Sequence, residues 1–199
     1  MITITDKDIN INMPNPVKVD AYGVKHGVSV DACHGLTIFG AAVSAKPENL
    51  LELGVGGAFV TNLLLDAILF NGQGSLTCVD SLHDDFPPNL FDSIRDRGAN
   101  VIAPMQEKEF VFSVEENTYD FLMSDADHNH AGEWTDQIFK IMKPNAIMFF
   151  HDVTNPGYPN LLNYQQRAQE LGKPFYLFNT DSRTDERCWR GLLMIINKK

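Results

Sequence analysis

Residues 124–130 read Ser-Asp-Ala-Asp-His-Asn-His, so carboxylates and imidazoles crowd one short stretch after the apolar run Phe121-Leu122-Met123. A second pair, His151-Asp152, follows directly on the aromatic end of Ile147-Met148-Phe149-Phe150. Side chains of these types bind cations or move protons. Hard ions such as Mg²⁺ want carboxylate oxygens and water, whereas imidazole favours transition metals. Asp125 with Asp152 therefore suggests one kind of ion and His128 with His151 another, and spacing alone leaves the choice open. A third set works through the backbone. Glu52-Leu53-Gly54-Val55-Gly56-Gly57 closes an apolar run with glycines and leads into the helix-like stretch Phe59 to Phe70. Without Cβ atoms in that turn, main-chain N–H groups can approach a nucleotide-like ligand. Asp80 ends the next apolar run, where an open parallel sheet places an acceptor for ribose hydroxyls.

The elements that must position these residues follow a regular rhythm. Short apolar runs occur at Leu50 to Leu53, Leu76 to Val79, Val101 to Pro104, Phe121 to Met123, Ile147 to Phe150, Phe175 to Phe178 and Leu192 to Ile196. Longer amphipathic or polar stretches separate them, which predicts an α/β sheet with helices on both faces. In such sheets ligands gather at the carboxyl ends of the strands, where the strand order reverses. If the runs ending at Met123 and Phe150 are neighbours, the two acidic and imidazole clusters meet. Leu36 to Ala45 reads as a helix stopped by Lys46-Pro47. Before it, Thr3 to Lys18 is polar and carries Pro14 and Pro16, as an extended arm would. The division expected is an arm and lead-in over residues 1–34 and one domain over residues 35–199.

Composition narrows the function. With 199 residues, 44% hydrophobic and 21% charged, the chain is ordinary for one globular domain with its own core. A formal charge of −10 and no Lys/Arg stripe argue against nucleic acid or an anionic membrane as partner. Cys33, Cys78 and Cys188 are odd in number and form no CxxC pair, so neither a disulfide framework nor a thiolate zinc site is indicated and a cytoplasmic location is expected.

In their order these motifs resemble the class I S-adenosylmethionine-dependent methyltransferases, and among them small-molecule and sugar O-methyltransferases of the macrolide sugar, cephalosporin-hydroxylase-like and caffeoyl-CoA types. The resemblance covers most of residues 35–199. It implies a Rossmann-like, doubly wound, mostly parallel seven-stranded sheet. Glu52, Gly54, Gly56 and Gly57 match its first motif and would line the methionine part of S-adenosylmethionine, Asp80 would hold the ribose, and Met105-Gln106 the adenine. Asp125 and Asp152, with His151 beside them, would hold Mg²⁺ or another divalent cation. That ion would orient the acceptor and acidify its hydroxyl, and His128 stands near the position that supplies a general base. The metal-dependent relatives carry a second acidic or amide ligand beside the strand-five carboxylate, whereas Asp152 is flanked by His151 and Val153. Only a short arm is left to cover the acceptor, which suits a large acceptor or closure by another copy in a homo-oligomer.

Each residue also has a structural reading. Asp125 and Asp127 suit helix caps, Asp80 a surface turn, and His151 a packed and hydrogen-bonded ring. His34 and His130 are weaker candidates, and Trp134 and Trp189 suit a core. Two other functions use the same fold. A nicotinamide-dependent oxidoreductase would share the glycine turn, but the third glycine of GxGxxG and a Tyr-x-x-x-Lys set are missing. A non-catalytic binding or assembly subunit would explain the incomplete ligand set.

Overall fold

The computed structural model describes residues 29–82, 89–178 and 191–198. The amino-terminal arm, Cys188 and Trp189 lie outside them. Seven strands, β1 (Asn49–Leu53), β2 (Ser75–Val79), β3 (Asn100–Ile102), β4 (Tyr119–Ser124), β5 (Met142–Phe150), β6 (Phe175–Phe178) and β7 (Leu192–Ile196), form one sheet. Its order is β3-β2-β1-β4-β5-β7-β6. The pairs from β3 to β5 are parallel, and β7 is antiparallel to both β5 and β6. This is the Rossmann-like, mostly parallel sheet the motifs imply. The chain runs outward from β1 to β3 and then returns to place β4 on the other side of β1, so the order reverses between β1 and β4.

Alternate strand residues supply two cores. Leu50, Phe121, Met123, Phe149 and Leu192 pack on one face against Ile38 and Ala42 of α1 (Ser29–Ala45), Leu64 of α2 (Phe59–Asn71) and Ile94 of α3 (Leu90–Asp96). Leu51, Leu53, Leu122, Met148, Phe150 and Leu193 pack on the other against Phe110 of α4 (Glu107–Ser113), Ile138 of α5 (Thr135–Ile141) and Tyr164 of α6 (Leu162–Glu170). With both faces covered, the strands read as unbroken apolar runs.

Three boundaries depart from the sequence reading. The first helix stops at Ala45 as expected but begins at Ser29, not Leu36. Gly35 lets this extra length lie close on α2, since a Cβ there would meet Phe59 Cε1 at 2.6 Å. β3 ends at Ile102, ahead of Pro104, which has no N–H to donate. β5 starts five residues before the apolar run because Met142 already pairs with Tyr119, ahead of a register shift.

Candidate active site

Register brings the clusters together. Leu53 stands opposite Val79 on one side and Ser124 on the other, and Ser124 stands opposite Phe150. The residues one step beyond continue the ladder: Gly54 N–H donates to Val79 O (2.9 Å), Asp125 N–H to Leu53 O (2.8 Å) and His151 N–H to Ser124 O (3.0 Å). Asp80, Gly54, Asp125 and His151 thus form a row across the carboxyl edge. Above it lies a cavity of about 530 Å³, lined among others by Gly54, Gly56, Asp80, Gln106, Asp125, His128 and Tyr158.

One wall is the glycine turn. Gly54 has φ +84°, and a Cβ there would meet the Asp125 carbonyl oxygen at 2.6 Å. Gly56 has φ +48° and open space where a Cβ would project, so its backbone borders the cavity bare. Asp80 is buried and braces the turn: Val55 N–H donates to Oδ2 (2.9 Å) and Leu82 N–H to Oδ1 (2.7 Å). Gly57 is exposed and lies outside the lining. Glu52 is outside it too. Its side chain is buried behind the turn, where the Cys78 thiol donates to Oε2 (3.4 Å). Burial pushes the Glu52 carboxyl up to about 8, so it holds a proton at neutral pH.

The other wall carries the titratable groups. His128 Nε2 lies 3.1 Å from Asp125 Oδ1 and 3.3 Å from Asp152 Oδ2. Burial works against charge on this imidazole, but hydrogen bonds and charge from the two carboxylates outweigh it and raise His128 to about 10. Burial likewise works upward on Asp125, and His151 and His128 together hold it well below the usual carboxylate range. Asp152 is buried with φ +56°, a left-handed conformation that aspartate tolerates better than most residues. His151 is 6% exposed; its Nδ1 lies 3.3 Å from both Asp125 Oδ1 and Asp152 Oδ1, and its Nε2 3.1 Å from His34 Nδ1. Asp127 turns to His130 (3.0 Å), and its carbonyl accepts the N–H groups of His130 and Ala131.

Ligand atoms of Asp125, His128 and Asp152 all lie within 4.8 Å of one another. Two carboxylates, one imidazole and an open cavity side suit a divalent cation of intermediate softness, such as Mn²⁺, better than the all-oxygen shell Mg²⁺ prefers. His128 belongs to this group, and His151 lies beside it against Asp125.

Two lining residues escaped the sequence reading. Tyr158 packs against His128 with ring centroids 4.6 Å apart and planes tilted by 36°, and comes from a loop without periodic signal. Glu107 opens α4 but is 5% exposed, and burial pushes it up to about 7. Neither of its carboxylate oxygens has a hydrogen-bond partner among the described residues.

A family model described as a methyltransferase domain matches residues 51–153, from the first strand through the glycine turn, Asp80, the Asp125–His128 stretch and His151-Asp152. The chain belongs to this methyltransferase family. Its fold is shared with solved methyltransferases. Cofactor-bound Rv0187 from MTB is 14% identical with a TM-score of 0.64 over 87% of this chain and 84% of its own. The O-methyltransferase TomG of Streptomyces achromogenes, solved with SAM, is 15% identical with a TM-score of 0.62 over 86% and 82%. An O-methyltransferase of Bacillus cereus, solved with SAH, is 15% identical with a TM-score of 0.61 over 87% and 83%. A search of curated sequences finds no match. Family membership decides for the methyltransferase over the oxidoreductase and the non-catalytic subunit. Among the described residues, no helix of this methyltransferase is long and apolar enough to cross a membrane.

Proposed function

We propose that this methyltransferase moves the methyl group of S-adenosylmethionine to a hydroxyl of a small molecule or sugar, with a divalent cation assisting. One observation carries the reading: Gly54, Gly56 and Asp80 line the same cavity as Asp125 and His128, whose ligand atoms lie within 4.8 Å of that of Asp152. Methyl transfer from a sulfonium is an in-line displacement, so the protein's main task is to align two bound molecules. Such alignment is worth on the order of 7–11 kcal/mol in favourable cases.

The backbone of Gly54 and Gly56 would take the methionine part of the cofactor, Asp80 the ribose and Gln106 the adenine. The carboxylates around the cavity suit a cationic ligand. Glu52 and Gly57 would serve by shaping the turn. Asp125, His128 and Asp152 would hold the cation, which when bound acidifies the acceptor hydroxyl. We assign His128 to this set because its ring nitrogen lies within 4.8 Å of the Asp125 and Asp152 oxygens, where a bound cation would displace its proton. Oxygen is chosen as acceptor because two of the structurally similar enzymes are O-methyltransferases. A reducing, cytoplasmic setting suits the free, buried Cys78.

The test is calorimetric and then enzymatic. S-adenosylhomocysteine is expected to bind and NAD(H) to leave the heat signal flat; the opposite pattern defeats the proposal. Catechols and free sugars are then assayed as acceptors with Mn²⁺ or Mg²⁺, and a chelator is expected to abolish turnover. Full turnover in the chelator removes the cation from the mechanism.

A further inference from the structure

We propose that His34, on the first helix, is a positioning residue of the cation centre, acting through His151 on Asp125. The inference rests on the cation reading above and adds a tier beneath it. Ionised carboxylates only accept hydrogen bonds. His151 Nδ1 is therefore the donor toward Asp125 Oδ1, 3.3 Å away. Asp125 is thus held from behind by His151, while the ligand atoms that lie together are those of Asp125, His128 and Asp152. The opposite ring nitrogen of His151, Nε2, meets His34 Nδ1 at 3.1 Å, and the two rings are edge-to-face with centroids 5.1 Å apart. His34 is 3% exposed and His151 6%, so water does not replace this contact readily. Held at both edges, the His151 ring cannot flip, and it fixes the position of the Asp125 carboxylate. Hydrogen bonds of this outer kind commonly change metal affinity by about 10- to 100-fold.

Mn²⁺ is titrated into the full chain with free ion followed by electron paramagnetic resonance, and S-adenosylhomocysteine is titrated in parallel by calorimetry. His34→Phe keeps an aromatic ring but no polar atom; it should weaken Mn²⁺ binding about 10- to 100-fold and leave S-adenosylhomocysteine affinity unchanged. His34→Gln, whose amide can still bond to His151 Nε2, should recover most of the loss. Should His34→Phe not fold, His34→Ala is titrated in its place, with the same weakening expected. Wild-type Mn²⁺ affinity in the variant that folds overturns the proposal. Should the unmutated chain bind S-adenosylhomocysteine but no Mn²⁺, the cation reading itself fails and takes this one with it.

Discussion

The β1–α2 wall of the cavity and the β4–β5 wall are built from different materials. The first is backbone: Gly54 at φ +84°, Gly56 at φ +48°, and an aspartate whose two oxygens are taken by Val55 and Leu82 amides. The second is side chain: Asp125 and His128 line it, and Asp152, His151 and His34 of α1 lie outside the lining, linked to them by contacts of 3.1–3.3 Å. A backbone wall depends on local conformation, so a change there acts through geometry. A side-chain wall depends on charge balance, so a change there acts through the groups left behind. The two are nonetheless joined, closest where Gly54 passes under the Asp125 carbonyl.

The sharpest separation comes from the charged wall. Asp125→Asn or Asp152→Asn should lower methyl transfer by about 10²- to 10⁴-fold, the range seen when proton removal from a nucleophile is lost. S-adenosylhomocysteine affinity, measured by calorimetry, should barely move. Equal losses in both would mean that the walls are not separable. Next in size is Gly54→Ala, placed at the join. Left-handed backbone strain costs about 1–3 kcal/mol, and the clash with the Asp125 carbonyl adds to it. Urea denaturation should register that loss, and both cofactor and Mn²⁺ binding should weaken together.

A smaller effect is expected on the backbone wall alone. Asp80→Asn replaces one oxygen by an NH₂ facing an amide donor, costing about 1–3 kcal/mol for the unsatisfied group. Cofactor affinity should fall accordingly while Mn²⁺ titration is unaffected. The last effect is on stability and is read across pH: it concerns Glu52, buried behind the same wall. The folded protein keeps its proton up to about pH 8, whereas the unfolded chain releases it near 4.5. Folding therefore binds a proton in this window, and the contribution of Glu52 to stability declines as pH rises from about 4.5 to about 8, at no more than about 1.4 kcal/mol per pH unit. Glu52→Gln should flatten that decline in urea midpoints measured across the window. An unchanged slope would mean that Glu52 is ionised in the fold.

Both walls were partly legible in the sequence, for different reasons. Glycines in succession after an apolar strand announce a turn because few other residues tolerate its dihedrals, and Gly54 and Gly56 stand where that logic puts them. Glu52 belongs to the same motif, yet strand alternation sends its side chain to the face under α2 and away from the cavity, a direction that motif matching does not encode. At the other wall, Asp125 and Asp152 converge as the neighbouring runs suggested. His128 falls in the group with Asp125 and Asp152 because the loop after β4 carries it there, while His151 turns toward His34 on α1. His34 is 117 residues from its partner, a separation no local pattern spans.

The order of apolar runs, the glycine turn and the acid after each strand are properties of consecutive residues, and they determined the sheet, the family and the edge that carries chemistry. The three-dimensional packing decided which imidazole faces the cavity, which lies behind the carboxylates and where α1 begins. Those outcomes rest on contacts between distant segments, where burial and hydrogen-bond satisfaction are fixed only once the whole chain has closed around them.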